Sequence, residues 1–228
     1  MHEIDASSNG TQTYKFAGII LIVEAIFSVI TMLQHPEVTQ SNAQSVISEI
    51  AGQANVARGV HGLMMVFIVL NFYALSSYAK LLKQRNCYPE LGLVFYLFGA
   101  IAMLLAPIIS GFVMTTLAER YAEFSPDSQT VFTDLSRMLA AGNQAFAMAG
   151  SVAYAITAVA WGLMQARGKG ISRTVGIVGI VVGFLIIAGL LLGMRLDVHG
   201  MTAVVLGLSL WYCAIAFDLI RTSQAQKP

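Results

Sequence analysis

The residues able to do chemistry in this sequence fall on a few helical stripes. Glu24, Ser28, Thr31 and His35 recur at i, i+4, i+7 and i+11 along the first apolar segment. Arg58, His61 and Met65 do the same at the start of the second, and His199, Thr202, Leu206, Ser209 and Cys213 run down the last. Residues at such spacings share one face of a helix. Polar groups are costly in hydrocarbon, so these stripes are expected to face a protein interior or a water-filled cavity. Three of the four histidines, His35, His61 and His199, lie toward the same end of the segments.

Glu24 sits about ten residues from either end of its segment, near mid-depth at ~1.5 Å rise per residue. A carboxyl there must be paired, hydrated or protonated. It reads either as a proton-coupling or ligand-binding acid, or as a neutral group hydrogen-bonded to a neighbour such as Asn71. His61 and His199, with His35 as a third, are candidate ligands for haem iron or a transition metal. They read equally as separate histidines bonded to carboxylates and backbone, since no tight spacing such as H-E-x-x-H is present. Met32, Met64, Met65, Met114, Met138, Met148, Met194 and Met201 all fall toward the same end, and thioether with imidazole suits copper(I). Methionine is also an ordinary flexible core filler. A nucleophile elbow, a phosphate loop and a dinucleotide fingerprint are all absent from the sequence.

The elements that must position these residues follow from composition. Of 228 residues, 57% are hydrophobic and 11% charged, far from the roughly 25% charged of soluble domains. Six stretches, about 15–34, 57–79, 91–117, 138–164, 172–194 and 199–220, reach the roughly 20 residues a membrane helix needs. The expected architecture is all-α: a polytopic, six-transmembrane-helix bundle over 15–221, with tails at 1–14 and 222–228. Two longer connections, 41–54 and 125–139, begin with capping-type residues and carry apolar residues at helical spacing. They are expected to form two short amphipathic helices on the outer surface, running into the next membrane helix. Val46–Ile50 and Val131–Leu135 also match each other at an offset of 85, which hints at a repeated unit. A net charge of +1 leaves no basic stripe for a nucleic acid.

Lysine and arginine number nine in the loops and tails of one side and four on the other. The side richer in these residues is expected to be cytoplasmic, with both termini there, in a bacterial inner membrane. The first segment ends in Gln-His-Pro and lacks a small-residue cleavage site, so it reads as a retained helix. Cys87 and Cys213 fall on the cytoplasmic side and form no disulfide framework. In the fifth segment the pairs Gly179/Gly183 and Gly189/Gly193 have small-xxx-small spacing. They are expected to pack inside the bundle, with a homo-oligomer through the same glycines as the alternative. Pro107, near Ser110 and Gly111, predicts a kink. Trp161 fits an interfacial anchor, and Trp211 fits the bundle interior.

Together these features lead to an expected ligand-binding or transport protein whose polar pocket, among segments one, two, four and six, opens outward. Glu24 is its deep anchor beside Asn71, with Arg58, His61, Asn143 and His199 at the mouth and the surface helices as a lid. An arginine beside histidines suits a small anionic or amphiphilic ligand. One alternative is a haem- or metal-binding redox subunit using His61 and His199. The other is a membrane-embedded lipid-modifying metalloenzyme using a metal-bound water. The sequence names no reaction.

Overall fold

The computed structural model describes residues 6–36, 43–85 and 88–225. Cys87, named above for topology, lies outside the described residues, as do 1–5 and 226–228 of the expected tails. The described chain is helical: α1 (Ala6–Leu33), α2 (Ala43–Gly52), α3 (Ala54–Gln84), α4 (Glu90–Pro107), a π-helical stretch (Ile108–Val113), α5 (Met114–Arg120), a 3-10 turn (Tyr121–Glu123), α6 (Pro126–Ala166), α7 (Ile171–Leu191) and α8 (Val198–Ala225). Six of the helical spans are long and apolar enough to cross a membrane.

Each long helix packs against the next, and α8 returns to pack against α1, so α1, α3, α4, α6, α7 and α8 close a ring. Small residues set how closely neighbours approach. A side chain on Gly176 would start 2.7 Å from the Gly162 carbonyl oxygen, and one on Gly183 2.6 Å from that of Ala155. At Gly176 and Gly183 the glycine face of α7 is therefore occupied within the chain, against α6. Gly189 and Gly193 do something else. Gly193 lies beyond the helix at φ 89°, a conformation that favours glycine. There the Met194 and Gly193 N–H groups donate to Gly189 and Leu190 carbonyls at 2.8 and 3.1 Å, ending α7 in a Schellman turn.

Two further expectations change. The segment 125–139 is not a separate surface helix but the first turns of an uninterrupted α6. Ser125 caps it, Pro126 supplies a preset first turn, and no breaker follows before residue 166. Only α2 is a separate short helix, divided from α3 at Gln53. Its Ile47 packs with Phe132 of α6 and Ala118 of α5 in a small apolar cluster at the histidine end. Trp161 is not an interfacial anchor. It is fully buried, and its indole N–H donates to the Pro89 carbonyl at 3.0 Å, tying α6 to the start of α4.

The core is filled in the half away from the histidines, where Trp161, Trp211 and Tyr78 are fully buried against one another. At that end Arg85 makes a bidentate ion pair with buried Asp218, at 2.6 and 3.0 Å, and bonds Thr222 at 2.9 Å. Tyr78 donates to Asp218 at 3.2 Å and is also bonded to Gln165. Forked charge-assisted bonds of this kind are strong and directional, and they lock α3, α6 and α8 together. The other half of the ring stays open.

Candidate functional site

That opening is a cavity of about 550 Å³ lined from α1, α3, α4, α6, α8 and the π-helical stretch. It meets a second chamber of about 710 Å³ that extends toward Ile50 and Gln53 beside α2. His35, His61, Ser110, Asn143 and Gln144 line both chambers and form the neck between them. Either volume lies in the roughly 300–1,000 Å³ range of small-molecule sites.

The wall is largely apolar, with Met32, Met64, Phe67, Met103 and Met201 among its residues, and the polar groups gather deeper. Glu24 is 6% exposed. The Ser28 hydroxyl donates to its Oε1 at 2.7 Å. Asn71 stands beside the same carboxyl without completing it: Glu24 Oε2 and Asn71 Oδ1 both lack hydrogen-bond partners. The Tyr154 hydroxyl, on another lining residue, and the Tyr96 hydroxyl behind it have no well-formed partner beyond a poorly aligned contact with each other. Tyr96 and Tyr154 stack at 4.9 Å between centroids, and both, with Tyr212, lie within electrostatic range of Glu24. A buried polar group left unbonded costs about 1–3 kcal/mol. The floor is thus a set of unmade hydrogen bonds facing a void.

At the neck, His35 and His61 meet edge to face, with Nε2 atoms 3.2 Å apart. Each Nδ1 faces a backbone carbonyl, His35 that of Pro36 at 3.0 Å and His61 that of Ala57 at 2.6 Å. Burial pushes the His35 imidazole below its ordinary pKa. His61 is held in place by the π-helical stretch, which follows directly on Pro107. A side chain on Gly111 would begin 2.4 Å from the His61 Cβ, so only glycine leaves the imidazole its position. The kink expected at Pro107 takes this form, and such π segments recur at functional sites.

Glu24, His35, His61, Asn71 and Asn143 all line the cavity. Arg58 and His199 do not. The Arg58 guanidinium turns to α5, where it bonds Glu119 at 2.9 and 2.5 Å and Thr116 at 3.3 Å. His199 is exposed in the first turn of α8, where Asp197 accepts the Gly200 N–H at 3.0 Å. That bond holds the Asp197 carboxyl below its usual range. The pairing of His61 with His199 is therefore replaced by His61 with His35. The stripe on α8 is also one residue out of register, about 100° around a helix. Val198, Met201, Val205, Leu208 and Tyr212 face the cavity together with Ser209, the one member of the expected stripe that lines it, while Leu206 is exposed.

The sequence reading missed the tyrosines. Their signal was depth: Tyr96, Tyr154 and Tyr212 lie within apolar segments, whereas tyrosine is usually enriched at membrane interfaces. Among the described residues no three His, Cys, Asp or Glu side chains converge on one point. No protein-family model matches this chain, and neither a curated protein nor a solved structure matches it.

Proposed function

We propose that the chain is a multi-pass protein of a bacterial inner membrane, with both termini cytoplasmic, that binds a small amphiphile in a cavity reached from the outer side and serves in its transport or capture. The lysine and arginine asymmetry supports the orientation, and it puts the histidine end outward. The observation that carries the binding reading is the floor: Glu24 Oε2 and Asn71 Oδ1 are buried without a well-formed partner beside a cavity walled by methionines and Phe67.

Those groups prescribe the ligand's chemistry. Carboxylate and amide oxygens accept hydrogen bonds, so the head group must donate them or carry positive charge. The apolar wall takes the body. An anionic head loses the support of Arg58, which is engaged with Glu119 outside the cavity, and Arg195, which lines both chambers, stands at the neck beside Asp197 and not at the floor with Glu24.

Three probes of equal chain length separate these demands: decylamine, decanol and decanoate, each added to the protein in lipid nanodiscs. The amine and the alcohol are expected to raise the melting temperature, decanoate is not, and Glu24→Gln should remove the response to the amine. A ligand at 100 times its Kd adds about 2.7 kcal/mol, an effect large enough to measure. Equal responses to all three probes, or an unchanged response in Glu24→Gln, would refute the assignment.

A further inference from the structure

We propose that His35 and His61, with the thioethers of Met32 and Met64, form a site for a soft late-transition-metal ion, copper(I) first, at the neck of the cavity. The starting point is a count of protons. The chain of groups runs Pro36 carbonyl, His35, His61, Ala57 carbonyl, with three close contacts between them. A carbonyl oxygen can only accept, so both Nδ1 atoms carry the hydrogens. Two neutral imidazoles then have none left for the middle contact. Their Nε2 atoms then meet at 3.2 Å with no hydrogen between them, and a shared cation relieves the contact, either a proton that makes one ring an imidazolium or a metal ion bound by both.

The geometry suits a metal ion. With metal–nitrogen bonds of about 2.0–2.1 Å, nitrogens 3.2 Å apart subtend about 99–106° at the metal. That is close to tetrahedral. A haem needs its two axial nitrogens on opposite sides of a flat macrocycle, about 4 Å apart at the same bond length, so this pair is too close for one.

The remaining positions point to the kind of metal. Met32 and Met64 line the same cavity and stand three residues from the histidines, as Met32-x-x-His35 and His61-x-x-Met64. On α3 that spacing puts Met64 on the same face as His61. The chain beyond α1 keeps a helical turn, the His35 N–H donating to the Met32 carbonyl at 3.2 Å, which holds His35 over Met32. Imidazole with thioether selects soft ions, and hard cations want oxygen. Of the nearby carboxylates, Asp197 accepts the N–H of Gly200, and Glu24 belongs to the floor of the cavity, where its open Oε2 serves the amphiphile's head group. Gly111 and the π-helical stretch give a reason for spending backbone regularity on the position of His61.

The test uses the full chain in detergent, with copper(I) supplied anaerobically as its bicinchoninate complex and silver(I) as a redox-inert surrogate. One ion per chain is expected. X-ray absorption of the copper-loaded protein should show nitrogen and sulfur neighbours together, a readout that needs no variant. Outer-shell changes alone cost about 10–100-fold in metal affinity. Loss of a direct ligand in His35→Ala or His61→Ala should therefore cost at least about a hundredfold. Met32→Leu with Met64→Leu should weaken copper and silver binding while preserving the fold, because the volumes match. Copper retained at full affinity in either histidine variant, no sulfur neighbour, or no binding beyond that of the competitor overturns the site. Metal affinity and the amphiphile response are separate measurements, so either reading can fail alone.

Discussion

Replacing Glu24 with methionine should make the ligand-free protein more stable, which is the reverse of what truncating a well-bonded core group does. The carboxyl is 6% exposed, and its one well-formed bond comes from the Ser28 hydroxyl at 2.7 Å, with Asn71 a weaker neighbour that leaves Oε2 open. Losing that bond costs about 0.5–1.5 kcal/mol, while removing an unbonded buried oxygen returns about 1–3 kcal/mol. Ser28 does not become an orphan, because a helical serine can turn to the carbonyl four residues earlier. The balance is centred near a gain of 1 kcal/mol, which at this chain length is about 2–4 °C in melting temperature. The assay is a thermal melt of both proteins in the same nanodiscs, first without a probe and then with decylamine. Glu24→Met should melt higher in the first and fail to respond in the second, as expected where a binding group is kept at the expense of stability. If Glu24→Met melts several degrees below wild type without a probe, the carboxyl is already satisfied. The floor then offers a ligand nothing.

Other expectations follow from the packing and the charges. Gly183→Leu should lose about 1–3 kcal/mol or more by overpacking, because the new Cβ would stand 2.6 Å from the Ala155 carbonyl oxygen. Gly189→Leu should cost far less, since its nearest neighbour is the flexible end of Met194 at 3.3 Å; equal melting curves for the two variants would contradict this packing. Gly111→Ala should displace His61, read as lost copper affinity with little change in helix content by circular dichroism. Asp218→Asn should destabilise by about 3 kcal/mol, as it leaves Arg85 without its counter-charge, whereas Arg58→Ala should leave both the melt and the decylamine response unchanged. Cys87 should resist a membrane-impermeant thiol reagent in whole cells and react after permeabilisation; labelling of intact cells would invert the topology.

The sequence by itself determined the helices. Apolar runs of membrane-spanning length, the punctuation at Pro89 and Ser125, and the small residues of the fifth segment are local facts, readable along one dimension. So was the depth of Glu24, and with it the idea that something polar lies inside the bundle. Which residues meet there was not local. A helix carries its polar groups at fixed angles, but its rotation about its own axis is set by the neighbours it packs against. On α8 a rotation of one residue exchanged His199 for Val198, Thr202 for Met201 and Cys213 for Tyr212 at the wall. Arg58 and His61 lie one turn apart on the same helix, yet they part company. The guanidinium is drawn to Glu119 on α5, while Gly111 leaves room for the imidazole to turn inward. His35 met His61 because closure of the ring set the end of α1 against the start of α3, a contact across 26 residues of sequence. Spacing could list the groups able to do chemistry, and only the packing of six helices around an incompletely filled core decided which of them share a cavity.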